Sequence, residues 1–226
     1  MQWAQDLQAG ALDPIVWGRK ASRLADCTRF GLSVPPGLAI TRGAESERIL
    51  DETALADLIQ PWLTVNNPRA VILRASEISE DGDETAAAGL SLSVADVPAT
   101  AAIVSQTLVE SGILLGEGSV VIQSQLQASW FGVLMTIGGG WRIEMSKSHQ
   151  AVTSGDAIDA WLETDGDQYD AGGACIAGAP ILSLAINSKL LVDRLMPPFG
   201  RHLDVEWAWS HGTMSLLQVR PLTVQL

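Results

Sequence analysis

The segment HLDVEWAWSHGTMSLLQVRPLT (202–223) carries acidic, amide and basic side chains in an alternating pattern. The alternation is typical of two strands joined by a tight turn. A hairpin centred on residue 212 places Glu206 opposite Gln218, and the same register places Asp204 opposite Arg220. A carboxylate, an amide oxygen and a guanidinium on one sheet face can hold a hydrated divalent cation and bind a phosphate beside it. The alternative is an ordinary Asp–Arg cross-strand pair on a solvated face.

Two further cations stand where an anion could bind. Lys20 is in the first turn of a helix predicted over 20–30, where backbone N–H groups favour anions. Arg74 ends the apolar strand predicted over 70–74, and ligands often bind at such strand ends. The alternatives are a solvated surface lysine and, for Arg74, a salt bridge to an acidic residue of the following loop.

Other polar residues give weaker signals. Gln123 ends the predicted strand SVVIQ and could present backbone groups to a purine edge, or be no more than a polar strand terminus. His149 is the histidine best placed to carry a transferable phosphate, although nothing around it specifies a nucleophile. The acidic loops 77–84 and 163–170 are expected to be solvated, with a Ca²⁺ site as the alternative, and neither has EF-hand spacing. No P-loop and no Ser-His-Asp pattern occurs in the sequence.

The composition bounds the class of protein. A chain of 226 residues that is 47% hydrophobic can form one large domain or two small ones around a real core. The net charge of −12 argues against nucleic acid as the main partner, because a phosphate backbone needs a basic face. The N-terminus does not resemble a signal peptide, and no 18-residue apolar run occurs, so we expect no membrane span. Two cysteines without metal-ligand spacing suggest a reducing compartment, and we expect a cytoplasmic protein.

The elements that must position these residues follow from the apolar pattern, which predicts an α+β (α/β) chain in two parts. In the first part, residues 1–115, we expect the strand LAIT, two short acidic helices within 44–63, strands at 70–74 and near 90–94, and a helix over 98–111. In the second part, residues 116–226, we expect the strands SVVIQSQL, FGVLMTIG and WRIEM, a helix over 185–197 stopped by Pro197-Pro198, and the final hairpin.

Four blocks of the sequence, taken in order, resemble the nucleotide-binding domain of phosphoenolpyruvate synthase and pyruvate phosphate dikinase. GRKASRLADCTRFGLSVPPGLAIT (18–41) is similar to the family's GGKGAxLxxLxxxGxPVPPGFxIT, and RASEISEDGDETAAAG (74–89) to its RSSAxxED…SFAG. VVIQSQL and FGVLMT (120–136) are similar to VVVQxMV…SGVLFT. FGRHLDVEWAWSHGTMSLLQVRPLT (199–223) is close to FGxPxDIEWAxxxGxLxxLQxRPxT. The resemblance covers nearly the whole chain.

The resemblance implies an ATP-grasp fold that holds ATP between two subdomains. The residues that it implies at the nucleotide phosphates are Lys20, Arg74 and Arg220, with Arg220 stabilising the transferring group. It implies Glu206 and Gln218 as ligands of Mg²⁺. At the nucleotide it also implies the retained Gly89 of the SFAG segment and, near the adenine, Gln123 with the backbone around Gln125 and Leu126.

The activity implied by the resemblance is Mg·ATP-dependent phosphoryl transfer to a histidine on a partner protein or to a small acceptor. Two alternatives stay open: a non-catalytic ATP-binding regulatory or scaffold module, and an ATP-grasp carboxylate–amine ligase. The family's Gly-Gly before the lysine is Gly18-Arg19 here, and the hydroxyl of its SFAG segment is replaced by alanine. The T-S-H motif of the family's phosphohistidine domain does not occur, so we expect the acceptor to be supplied separately.

Overall fold

The computed structural model describes residues 3–41, 51–79, 92–137, 139–154, 158–165 and 168–221. The chain divides into two compact units. Unit one comprises Met1–Arg29 and Pro35–Gln125, and unit two comprises Phe30–Val34 and Leu126–Leu226. None of the helices in the described part of the chain is long and apolar enough to cross a membrane.

Unit one contains a five-stranded antiparallel sheet in the order β1-β2-β5-β3-β4. Its strands are β1 (Ala4–Asp6), β2 (Gly37–Thr41), β3 (Ala70–Ser76), β4 (Ser93–Pro98) and β5 (Ser119–Ser124). Its helices are α1 (Pro14–Arg29), α2 (Glu52–Asn66) and α3 (Ala101–Glu110).

The core of unit one lies between one face of this sheet and the helices α2 and α3. Val71, Leu73 and Ala75 of β3 are fully or almost fully buried in the same cluster as Ile59 and Val104 of these helices. Because side chains alternate along a strand, residues 72, 74 and 76 lie on the opposite face of the sheet. Helix α1 contacts β3 and β5 on that second face, so the polar residues of the two strands are directed toward α1.

Several predicted elements of unit one differ in extent from the observed ones. In place of two short helices within 44–63, residues 52–66 form one helix that begins at its N-cap Asp51 and continues through Pro61, and 42–50 lie outside the described residues. Strand β3 continues two residues past Arg74, and β4 begins at Ser93 and ends at Pro98.

Strand β5 pairs with β2 and β3 in this sheet, so residues 116–125, assigned from sequence to the second part, belong to unit one. The apolar run Val120–Ile122 is buried in this sheet, and sequence alone does not indicate which sheet a strand joins.

Unit two contains a six-stranded antiparallel sheet in the order β11-β10-β6-β7-β8-β9. Its strands are β6 (Trp130–Ile137), β7 (Gly140–Ser146), β8 (Ala160–Asp165), β9 (Gln168–Gly172), β10 (Leu203–Ser210) and β11 (Thr213–Pro221). Its helices are α4 (His149–Ser154) and α5 (Ile181–Phe199). Helix α5 was expected to stop at Pro197-Pro198, but both prolines lie in its last turn. Proline destabilises a helix most in its interior, where it removes a hydrogen bond and clashes with the preceding turn, so two prolines next to the helix end interrupt less of α5.

One face of the six-stranded sheet is apolar and buried. Trp207 is fully buried there, opposite Gly132 of β6. A Cβ atom on Gly132 would lie 2.2 Å from Cζ2 of Trp207, so the indole ring occupies the space that a larger residue would fill. Leu134, Ile143 and Leu162 continue this face across β6, β7 and β8.

The opposite face, here called the polar face, carries two rows of side chains that run across the strands. The first row, from β11 to β8, is Gln218, Glu206, Val133, Glu144 and Trp161. The second row is Arg220, Asp204, Met135, Arg142 and Glu163. The candidate metal-binding residues of the hairpin therefore belong to a larger charged surface of unit two.

Candidate functional site

Lys20 lies in unit one on helix α1, just after an interruption of that helix. Asp13 caps the first turn, its Oδ1 accepting a hydrogen bond from the Ile15 N–H at 2.9 Å. Gly18 then leaves the helical conformation with φ 75° and ψ 166°, a backbone geometry available almost only to glycine. Lys20 is only 4% exposed, and its Nζ donates to the Ala75 carbonyl at 2.9 Å. The alternative of a solvated surface lysine is therefore wrong.

The segments 17–21 and 75–78 are joined by a set of hydrogen bonds that we call the clasp. The Ser76 hydroxyl donates to the Trp17 carbonyl at 3.0 Å and accepts from the Ala21 N–H at 2.9 Å. The Arg19 N–H donates to the Glu77 carbonyl at 3.0 Å. The approach is so close that a Cβ atom on Gly18 would lie 1.9 Å from the Ser76 carbonyl oxygen. The clasp fixes Lys20 next to the end of strand β3.

Arg74 and Gln123 lie on the α1 face of the five-stranded sheet. Arg74 pairs with Val121 and Gln123 pairs with Ile72, so the two polar side chains are diagonal neighbours on adjacent strands. They are 6% and 1% exposed, respectively. Gln123 Nε2 donates to the Pro35 carbonyl at 3.3 Å, which holds the amide inside the fold. The structure thus places all three residues in unit one, with Lys20 bonded next to Arg74 at the Ala75 carbonyl and Gln123 diagonal to Arg74.

The other residues expected near the adenine have different surroundings. The Gln125 N–H donates to the Ala70 carbonyl at 2.9 Å. Its side chain makes two hydrogen bonds with Asp96, each 2.7 Å long, one to the N–H and one to Oδ1. These groups of Gln125 are therefore already engaged within unit one. Leu126 is partly buried and is assigned to unit two, and Gly89 lies outside the described residues.

The hairpin β10–β11 has the register that the sequence predicts. Glu206 pairs with Gln218 and Asp204 pairs with Arg220. The register is reached through a bulge, because the pairing shifts from Glu206–Gln218 to Trp207–Leu216 and so passes over Leu217. Glu206 and Gln218 are 8% and 7% exposed, so this part of the polar face is not solvated.

Arg220 is hydrogen-bonded to Asp204 across the two strands. Its Nε donates to Asp204 Oδ2 in a short charged hydrogen bond, while its Nη2 lies 3.9 Å from Oε1 of Glu206. The Asp–Arg cross-strand pair of the alternative interpretation therefore exists. It occurs beside the buried Glu206–Gln218 pair rather than in place of it.

A second charged cluster on the polar face was not predicted. Arg142 Nε donates to Glu144 Oε1 at 2.9 Å, and its Nη1 donates to Glu163 Oε2 at 2.6 Å. The guanidinium also lies 5.1 Å from the ring centroid of Trp161. Partial burial lowers the pKa of Arg142, but the hydrogen bonds and charges of the two glutamates outweigh it and the pKa ends above its ordinary value. The alternation in WRIEM indicated a strand, but not which strand would supply Glu163.

His149 lies at the first position of the short helix α4, and its ring centroid is 5.2 Å from that of Phe131. The turn before it is held by Asp159, whose Oδ2 accepts from the Ser146 hydroxyl at 2.7 Å and from the Lys147 N–H at 2.9 Å. These contacts give His149 a packing role.

Oxygen ligands suited to a divalent cation are present on the polar face. Among the described residues, no group of three or more histidine, cysteine, aspartate or glutamate side chains could hold a metal by itself. Glu206 and Gln218 supply one carboxylate and one amide oxygen opposite each other. Mg²⁺ commonly takes one or two protein oxygens and completes its shell with phosphate and water, so this donor set fits a metal that arrives with a polyphosphate.

An apolar groove of about 650 Å³ lies elsewhere on unit two, between helix α5 and strands β8 and β9. Leu162, on the apolar face of the sheet, contributes to its lining with Leu182 and Ile186 of the helix. None of the candidate site residues lines it. The groove is therefore separate from the polar face.

No protein-family model matches the chain, and no curated protein matches it. Solved structures do match. The macrocyclase MdnC bound with the precursor peptide MdnA, from Microcystis aeruginosa MRC, has a TM-score of 0.50 at 11% identity, over 92% of this chain and 52% of that one. A RimK domain protein ATP-grasp from Sphaerobacter thermophilus DSM 20745 has a TM-score of 0.48 at 16% identity, over 93% and 61%.

A third match is a RiPP-associated ATP-grasp ligase from Chryseobacterium gregarium, in complex with ADP and a leader and core peptide. Its TM-score is 0.48 at 12% identity, over 87% of this chain and 50% of that one. The chain thus spans about half to three fifths of the length of these structures. The chain is α+β with two antiparallel sheets, as the sequence predicts, and at a TM-score of 0.50 it resembles the macrocyclase MdnC in fold. Resemblance to phosphoenolpyruvate synthase in particular finds no counterpart among these neighbours.

Proposed function

We propose that this chain binds Mg·ATP and transfers the γ-phosphoryl group to an acceptor, with a carboxylate as the first candidate acceptor. The observation that carries the proposal is the buried Glu206–Gln218 pair beside Arg220 on the polar face. A buried carboxylate, an amide and a guanidinium on one face suit a magnesium ion and a phosphate held side by side.

The proposal gives one role to residues of unit two and, separately, another to residues of unit one. Glu206 and Gln218 would hold Mg²⁺, which when bound neutralises charge on the phosphates. Arg220, oriented by Asp204, would donate hydrogen bonds to the phosphoryl group as it transfers. Lys20 and Arg74 would bind phosphate oxygens from unit one. Phosphoryl transfer needs positioning and charge neutralisation more than covalent help from the protein, and these residues supply both.

A carboxylate acceptor corresponds to ligase chemistry. A carboxylate oxygen attacks the γ-phosphorus, the bond from that phosphorus to the bridging oxygen breaks, and ADP leaves. The resulting acyl phosphate is attacked at its carbonyl carbon by an amine, phosphate leaves, and the amine loses a proton to solvent. The proposal draws support from the fold neighbours, which include a macrocyclase bound with a precursor peptide and an ATP-grasp ligase with ADP.

A histidine acceptor on a partner protein is the second candidate. It is favoured by the order of the four sequence blocks and above all by DVEWA followed by LQVRP in the hairpin. In the family that these blocks resemble, the nucleotide product is AMP. The nucleotide product therefore separates the two candidates, since acyl phosphate formation yields ADP.

Calorimetric titration of Mg·ATP into the wild type and into Glu206→Ala tests the binding proposal. We expect micromolar affinity that requires Mg²⁺ and is lost in the variant. Asp170→Ala, which removes an exposed carboxylate from strand β9 of the same sheet, serves as the control and should bind as the wild type does. No binding to the wild type would refute the proposal. Binding without turnover with any acceptor would leave the non-catalytic module as the better interpretation.

A further inference from the structure

Arg19 is fixed in the clasp by two hydrogen bonds. Its N–H donates to the Glu77 carbonyl at 3.0 Å, and its side-chain Nε donates to the Ile78 carbonyl at 3.1 Å. The side chain is partly buried. A guanidinium anchored through Nε has a restricted orientation, because its fork is planar and rigid.

The outer nitrogens of this guanidinium have no acceptor among the residues that the structure describes. Its side-chain hydrogen bond to the described part of the chain is the one from Nε to the Ile78 carbonyl. The fork of an arginine carries further N–H donors at Nη1 and Nη2, in a geometry that matches two oxygens of a phosphate. Arg29, on the same helix, differs from Arg19, because its Nη1 lies 2.9 Å from Oδ1 of Asp26.

Arg19 also lies close to two other cations. Lys20 Nζ and Arg19 Nε bind carbonyls of the same short segment, those of Ala75 and Ile78. Three residues of chain span at most about 10 Å. Arg74 directly precedes this segment and is buried. Three cations are thus gathered at the end of strand β3, an arrangement suited to an anion that carries several charges.

We infer that Arg19 is an additional phosphate-binding residue, whose Nη1 and Nη2 bind oxygens of a polyphosphate chain beside Lys20 and Arg74. The inference rests on the proposed function, of which it names one more binding residue. The family that the chain resembles has glycine at this position. The guanidinium therefore adds a charged, bidentate contact that the glycine cannot make.

The test is a calorimetric titration with three probes: Mg·ATP, tripolyphosphate and adenosine. Arg19→Gln removes the charge. We expect it to lower the affinity for Mg·ATP and for tripolyphosphate roughly 10-fold, which is the effect of losing one charged hydrogen-bonding contact. Adenosine affinity should not change. Arg29→Gln, on the same helix, is the matched control. Its affinities for the three probes should stay within about twofold of those of the wild type, because Arg29 is an exposed charge that pairs with Asp26.

Two further variants separate a phosphate contact from a structural role. Ser76→Ala weakens the clasp without changing charge, and Arg19→Lys keeps the charge without the fixed fork. We expect Arg19→Lys to recover part of the lost affinity. We also expect the slope of log Kd against log salt concentration to become shallower in Arg19→Gln and to keep its wild-type value in Ser76→Ala. Equal affinity losses for all three probes in Ser76→Ala and Arg19→Gln would overturn the inference.

The remaining outcomes distinguish the inference from the proposed function. If the wild type binds Mg·ATP and Arg19→Gln binds it equally well, the inference is wrong and the proposed function stands. If the wild type binds tripolyphosphate through Arg19 but shows no preference for ATP, the inference stands and the nucleotide function fails. If the wild type binds none of the probes, both are refuted.

Discussion

Asp204 and Arg220 are joined across strands β10 and β11 by a charged hydrogen bond from Nε to Oδ2, whereas Glu206 lies farther from the same guanidinium, at 3.9 Å from Nη2. The carboxylate of Asp204 thus takes up the Nε of Arg220. Glu206 is paired across the strands with Gln218. The division of contacts lets one carboxylate orient the arginine while the other remains suited to a metal.

Under the proposed function, Asp204→Asn should affect the chemical step more than nucleotide binding. With its charged partner lost, Arg220 can move toward Glu206, and the phosphoryl group loses an oriented donor. We expect kcat to fall at least 10-fold while the Kd for Mg·ATP changes less than threefold, since positioning acts mainly in the transition state. Stability should fall by about 1.5–3 kcal/mol, the range for a charged hydrogen bond. Single-turnover assays and urea denaturation measure the two effects, and a parallel loss of binding and rate would contradict the positioning role.

The two cysteines should differ sharply in reactivity. Cys27 is fully buried on α1, and burial, with a smaller contribution from the neighbouring Asp26 carboxylate, raises its pKa to about 12. Because the thiolate is the reactive form, iodoacetamide at pH 8 should not modify Cys27 in the folded protein. Cys175 is only partly buried and should be modified. Mass spectrometry of protein labelled with and without urea provides the measurement, and rapid native labelling of Cys27 would mean that α1 is not packed as described.

Asp159 should make the stability of unit two depend on acid pH. Hydrogen bonds from the Lys147 N–H and the Ser146 hydroxyl hold the pKa of this carboxyl below its ordinary value of 3.8. A carboxylate with a lowered folded-state pKa stabilises the protein above the unfolded pKa, and this contribution is lost as the pH falls through the folded value. Wild type should therefore be more stable than Asp159→Asn at neutral pH, and the gap should close below about pH 4. Thermal unfolding between pH 2.5 and 7 measures the gap; a gap that does not change with pH would show that the charge contributes nothing.

The register of the hairpin could be predicted from sequence because alternation and a single turn fix it. The bulge at Leu217 could not be. Strand β11 is at the edge of its sheet, and the Leu216 N–H donates to the Ser33 carbonyl at 2.8 Å. A contact with a segment so distant in sequence cannot be inferred from the local pattern.

The burial of Lys20 could not be predicted from the sequence pattern either. Its position near a helix start was predictable, but the carbonyl that binds it belongs to Ala75, 55 residues away. The same holds for Arg142, whose partner Glu163 is on a separate strand. Sequence predicts which face a side chain lies on, whereas its partner depends on the order of strands in the sheet.

Gly18→Ala tests whether the clasp positions Lys20. The new Cβ would lie 1.9 Å from the Ser76 carbonyl oxygen, and the backbone conformation is one that alanine rarely adopts. We expect a loss of about 3 kcal/mol in the free energy of unfolding and, under the proposed function, weaker Mg·ATP binding as Lys20 shifts. Gly112→Ala in the same unit is the matched control, since its φ of 67° is similar but its Cβ would meet only a leucine methyl at 3.6 Å. It should cost about 1 kcal/mol through backbone strain alone. Equal losses in the two variants, measured by urea denaturation, would show that the close approach at Gly18 does not hold the clasp together.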